Sequence, residues 1–255
     1  MTPLATALAA MNAAPEDETA RLLFYEALAD AEVYLALEAE PSDESIDPRM
    51  AETVEGSFAL AHDDPGALAQ DGAPVPYAAL PGRVLAQMLA QAGVGLCLTA
   101  GDQEAWLPAG GMSWLVDTLS AAPEEGEARL SELRPPSGLP ESVVAAIDRK
   151  LTRAAGLAEV AWLAAATYEG GGRGHLLAFV DAAPRAERPL AHAAGEALRF
   201  SGIEAGSMDV LFVRSGDAIA ERLARVGLRF DLPKVAEPAT PRAPGTDPDT
   251  PPKLR

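Results

Sequence analysis

Between residues 121 and 140 the chain reads AAPEEGEARLSELRPPSGLP, four prolines and two glycines in twenty positions. Proline removes an amide donor and glycine costs backbone entropy, so this composition predicts a linker and not a helix or strand. It divides 255 residues into two units, each large enough for a modest core. The expected organisation is a first domain over 1–122, a linker over 123–139 and a second domain over 140–232. The tail over 233–255 has seven prolines in 23 residues and no periodicity, the composition of a disordered segment.

Apolar spacing supplies the elements. Leu4, Leu8, Met11, Leu22, Leu23, Tyr25 and Leu28 recur at helical intervals broken near Pro15, which predicts two helices before Asp30. Strands are expected at Glu32–Glu40, Phe58–His62, Val94–Leu98 and Ala105–Leu107. Helices are expected at Gly82–Ala92, with Val84, Leu85, Met88 and Leu89 buried, and at Ser113–Ser120. The second half reads as helix Glu141–Gly156, strands Val160–Tyr168 and His175–Asp181, and helix Arg188–Ser201. Strand Met208–Val213, helix Asp217–Val226 and strand Leu228–Leu232 complete it. Both halves lead with a helix followed by strands and further helices, without a residue-level repeat. The fold class is α+β: two small mixed domains, each a short sheet packed by helices.

Charge narrows the partners. The net charge is −18, and residues 1–64 carry 15 acids against Arg21 and Arg49 alone. Residues 137–232 are nearly neutral, with 12 acids and 11 bases. A phosphate backbone would meet repulsion or no basic surplus, so nucleic acid is not an expected partner. A basic protein is the partner that the acidic half would suit. No apolar run approaches the ~20 residues of a bilayer span, so no membrane association is expected. The opening MTPLATALAAMNAAPEDE lacks a basic n-region, and Cys97 is the only cysteine. A cytoplasmic protein without internal disulfides is expected.

The most motif-like stretch, TYEGGGRGHLLAFVD over 167–181, lacks the terminal lysine and hydroxyl of a phosphate loop and leads into a strand. It reads as a hairpin turn between two strands. His62 opens HDDPG, and His175 begins a strand; either is a candidate base only if a carboxylate meets it. Cys97 lies in an apolar strand with no local base to make a thiolate. No metal set and no cofactor is implied. Trp106, Leu107 and Trp114, with Thr99 at a strand end, are the candidate contact residues for a partner or ligand, tryptophan being a favoured anchor.

Several segments in this order resemble the SseB-type (enhanced serine sensitivity) family. They are PEDETARLLFYEALADAEVYLALEAE, YAALPGRVLAQMLAQAGVGLCLTAG, WLPAGGMSWLVDTL, LPESVVAAIDRKL, the glycine hairpin and VGLRFDLP. The resemblance spans about residues 1–232 and implies an N-terminal and a C-terminal SseB domain. Thr99 stands where many relatives carry asparagine, and the family supplies no established catalytic residues. A non-catalytic protein that binds a partner or ligand is the leading expectation. The alternative is an enzyme of serine- or sulfur-related metabolism using His62 or His175 as base.

Overall fold

A computed structural model describes residues 1–40, 46–68, 75–121, 126, 129–202 and 208–234. The proline-rich segment beyond Lys234 lies outside the described residues.

The first half opens with α1 (Pro3–Ala13) and α2 (Glu18–Asp30). Thr2 caps α1 by accepting the Ala5 amide, and Asp17 caps α2 by accepting that of Thr19. Strands β1 (Glu32–Ala36), β2 (Met50–Thr53), β3 (Gly56–His62) and β4 (Tyr77–Pro81) follow. Helix α3 (Gly82–Ala92), strands β5 (Gly95–Ala100) and β6 (Gln103–Leu107) and helix α4 (Ala109–Ser120) complete the half. The sheet order is β4-β1-β3-β5-β6, with β2 paired to β3. The four helices cover one face of this sheet, where Val33, Leu35, Ala59, Ala61, Leu96, Leu98 and Leu107 form the core with Leu8, Phe24, Leu85 and Leu115.

The second half contains β7 (Leu130–Arg134), α5 (Glu141–Thr152), β8 (Val160–Tyr168), β9 (Arg173–Val180), α6 (Glu187–Phe200), β10 (Met208–Val213), α7 (Ala218–Val226) and β11 (Leu228–Asp231). Its order is β10-β9-β8-β11, with β7 paired to β8. Helices α5 and α6 line one face and α7 the other. The glycine stretch is the β8–β9 hairpin turn. The Tyr168 amide donates to the Gly172 carbonyl, and Gly170 and Gly171 hold φ of 102° and 88°, a region that L side chains avoid.

Three strands escape the sequence reading: β2, β4 and β7. Strand β7 falls inside the expected linker and is bound to β8 through a register that shifts at a bulge. Of the four residues expected to be buried on α3, Leu85 and Leu89 face the core, joined by Ala86, whereas Val84 and Met88 are exposed. The buried stripe is turned by about one position.

The two halves repeat one plan more closely than the sequence suggests. In the first, β1 is antiparallel to β4 and β3, and β3 is parallel to β5. In the second, β8 is antiparallel to β11 and β9, and β9 is parallel to β10. An aspartate follows each parallel strand in the same way. The Asp63 amide donates to the Thr99 carbonyl, and Asp63 Oδ1 accepts the Gly101 amide at 3.1 Å. The Asp181 amide donates to the Val213 carbonyl, and Asp181 Oδ1 accepts the Ser215 amide at 3.1 Å. Each carboxylate thus ties the residue two beyond the neighbouring strand's last pairing. The outer strand of the order comes from different places in the chain, β4 before α3 in one half and β11 after α7 in the other.

Candidate functional site

Helices of both halves meet along a seam of charge. Lys150, on the buried stripe of α5 with Val143, Ala146, Ile147 and Leu151, is only 5% exposed. Its ammonium donates to Asp30 at 2.8 Å and to Glu196 at 2.9 Å, and Glu26 Oε1 lies 3.7 Å away. Glu26 and Glu196 are themselves buried. Three arginines close the cluster from the rim: Arg149 on Glu26, Arg153 on Asp30, and Arg83 bridging Asp30 and Glu196. Burial alone would lower the Arg83 pKa, but Glu196 and then Asp30 outweigh it and hold the guanidinium above its ordinary value. Phe200 of α6 inserts into the first half's core beside Trp114, and Arg199 donates to the Thr118 and Ala121 carbonyls at the end of α4. A cation there also meets the negative end of the α4 dipole.

Beside the seam lies a hollow of about 860 Å³. Its floor and walls come from α1 (Pro3, Leu4, Ala7, Ala10) and α2 (Ala20, Leu23, Ala27), and Arg149 of α5 and Arg153 at its C-cap close one side. The alanines make the groove: helices side by side with short side chains leave space that leucines would fill. Of the carboxylates lining it, Glu26 and Asp30 belong to the seam cluster. Asp17, Glu32 and Asp63 also line it, and among the described residues none of these three has a salt-bridge partner. Asp17 holds the Thr19 amide, Glu32 the Tyr34 hydroxyl, and Asp63 the Thr2 hydroxyl and the Gly101 amide. Hydrogen bonds fix these carboxylates but leave their charge uncancelled.

The candidate contact residues fall on two surfaces and in the core. Trp106 stands on the sheet face away from the helices, 43% exposed, its ring edge-on to Phe58 and its indole N–H donating to Glu104 at 2.7 Å. Leu107, the next residue along the same strand, points the opposite way and is buried in the core, because side chains alternate. It is not a contact residue. Trp114 is 41% exposed on α4, at the seam, with its ring 5.0 Å from Tyr25. Thr99 shares the outer sheet face with Trp106, in register with His62 on one side and Glu104 on the other.

His62 lines a second hollow, about 240 Å³, with Ala36, Leu60, Leu68 and Val75. Burial lowers its pKa, against the opposing pull of Asp63 and Glu104, and so favours the neutral ring. Its Nδ1 is buried and finds no hydrogen-bond partner among the described residues. His175 meets the Ser137 carbonyl through Nε2 at 3.0 Å, in the other half of the molecule. Neither imidazole bonds a carboxylate among the described residues. Cys97 lies beneath Trp106 on the outer sheet face, where burial, reinforced by Glu104, pushes its thiol pKa up to about 11. At pH 7.5 a thiol of that pKa is ionised in fewer than about one molecule in a thousand. Native protein is therefore expected to resist alkylation at pH 7.5 and to label fully once unfolded, with native labelling rising as pH approaches 11. Rapid native labelling at pH 7.5, measured by intact mass, would contradict this account of Cys97.

Residues 4–109 match the family model described as the SseB protein N-terminal domain. The first half of this chain belongs to the SseB family. The matched span runs from α1 through β6, so it takes in the α1–α2 hairpin and the whole helix-covered sheet of the SseB domain, and stops where α4 begins. No curated protein and no solved structure matches the chain. Within the SseB domain, the groove was missed from sequence because alanines carry no chemical signal and its arginine wall comes from α5, over a hundred residues away. The seam did leave a trace. Lys150 occupies a position of the α5 stripe that helical spacing assigns to the core.

Proposed function

We propose that this SseB-family protein is a non-catalytic binding protein whose ligand or partner seats in the groove between α1 and α2. One observation carries the reading: a hollow of about 860 Å³ forms an apolar cleft at the junction of the two halves, bordered by a few fixed charges. Binding clefts of this size favour domain junctions and combine apolar walls with sparse oriented polar groups. An occupant would touch α1, α2 and α5 at once and so report on both halves. The second half serves as the family's C-terminal domain, a reading supported by its repetition of the first half's strand order. A cytoplasmic setting suits one buried thiol and the absence of any apolar helix among the described residues long enough to cross a membrane.

The test is site-specific photo-crosslinking in cells. A benzoylphenylalanine at Ala10, exposed on the groove wall, is expected to give a discrete adduct. The same group at Val54, exposed on the β2–β3 turn, is expected to give none. Equal adducts at both positions, or none at Ala10, would remove the groove from the account.

A further inference from the structure

Resting on that reading of the groove, we propose that its occupant is a basic amphipathic segment of another protein, its apolar side on the alanine floor and its cations toward Asp17, Glu32 and Asp63. Charge complementarity selects this occupant. The seam cluster is close to balanced within itself: Glu26, Asp30 and Glu196 face Lys150 and three arginines. The groove's arginines are therefore already engaged with Glu26 and Asp30 and are poorly placed to receive an anion. What remains for an incoming charge is the set of three carboxylates without a salt bridge. Asp17 sits at the start of α2, and Glu32 lies just past its end. Asp63 holds Thr2 at the start of α1. A helix of 13 residues is about 20 Å long, so these charges flank the apolar floor at a spacing that an amphipathic segment of three to four turns spans. The floor suits such a guest. Ala7, Ala10, Ala20 and Ala27 let a backbone approach closely, and Leu23 supplies an aliphatic contact.

The surrounding field acts in the same direction. Residues 1–64 carry 15 acids and two bases, so a cationic segment is drawn to this half before it docks. The same field would attract any polycation, and the test must separate seating in the groove from general attraction. Tryptophan at Ala20 does so, since it fills the groove and leaves the net charge unchanged.

The probe is a fluorescent synthetic helical peptide of lysine, leucine and alanine with its lysines on one face, followed by anisotropy against the full-length chain. A second peptide carries glutamate at each lysine position. Binding of the lysine peptide is expected, weakening at least tenfold between about 50 and 500 mM salt as screening shortens the reach of each charge. It should also weaken at least tenfold in Ala20→Trp and in Ala10→Trp, with unchanged circular dichroism. The glutamate peptide should not bind. Equal lysine-peptide affinity in wild type and both tryptophan variants would overturn the proposal, leaving only attraction to an acidic surface. Binding seen only after removal of residues 235–255 would assign the groove to the chain's own tail and overturn it too. So would an oligomer that dissociates on Ala20→Trp, which would assign the groove to a second copy. If the Ala10 crosslink forms in cells while the lysine peptide fails, the binding reading stands and the basic occupant falls.

Discussion

Lys150→Met is expected to lower the melting temperature by roughly 10 °C. The substitution keeps the length and apolar stem of the side chain and removes only its charge. Glu26, Asp30 and Glu196 then remain at a buried seam without the ammonium that holds two of them by hydrogen bonds. Breaking a buried ion pair by deleting one partner costs about 3–5 kcal/mol, because the orphaned charge keeps its desolvation penalty. For a chain of this size each kcal/mol moves the melting point by about 2–4 °C. The rim arginines soften the loss but do not replace the ammonium, since each is about half exposed and partly screened by solvent. The double variant Lys150→Met with Glu196→Gln should recover part of the loss, since one stranded charge is then gone. Thermal unfolding by calorimetry decides the matter. A shift under about 2 °C for Lys150→Met would show that the seam does not hold the halves together.

Gly82→Ala is expected to be at least as damaging, although it adds a single methyl group. Gly82 begins α3, where its amide donates to the Ala31 carbonyl at 2.8 Å and its Cα faces the end of α2. A Cβ there would lie 1.8 Å from the Leu28 carbonyl oxygen and 2.8 Å from its carbon. Those are backbone atoms within a helix, so no rotamer change relieves the overlap and α2 must move away from α3. Overpacking of a rigid core costs typically 1–3 kcal/mol and sometimes more. Displacement of α2 would also disturb Glu26 and Asp30, and a loss of about 3 kcal/mol or more is expected. In contrast, alanine at Gly110, where an added Cβ meets nothing within 4 Å, should change stability little or raise it slightly. Denaturant unfolding of the two variants makes the comparison. Equal midpoints would show that α2 and α3 are not in the close contact described.

Much of the architecture could be read before the structure, and the exceptions share a cause. Helix α3 and strands β8 and β10 fall where their periodicity places them, because each has a strong apolar stripe or run of its own. Strands β2, β4 and β7 do not. MAET and LSELR are short, largely exposed and charged, and YAALP is alanine-rich and ends in proline. Such segments become strands by completing a neighbour's hydrogen bonds, which local sequence does not encode. Proline-rich surroundings hid β7, yet its pairing with β8 places residues 130–134 in the second sheet. The misplaced contact residue, Leu107, follows from treating adjacent strand residues as one surface.

The site was less legible than the fold. Scattered ionisable groups were expected; His62 lies in β3 and His175 in β9, in separate halves. The carboxylates and cations of α2, α3, α5 and α6 converge instead, through tertiary packing that brings residues 26 and 30 against 149, 150, 153 and 196. Charges on buried stripes were the available signal. Glu26 stands among Leu22, Tyr25 and Ala29, and Glu196 among Ala194, Ala197 and Leu198. A charge at such a position predicts a partner of opposite sign across an interface, because it is too costly to bury alone.

The most direct test of the groove as the working surface is amide chemical-shift mapping during titration with the lysine peptide. The account predicts perturbations concentrated at Ala7, Ala10, Ala20, Leu23 and Ala27, extending across the seam to Arg149 and Arg153. Perturbations centred on Trp106, Thr99 and His62 on the outer sheet face, or spread evenly over the acidic surface, would contradict it.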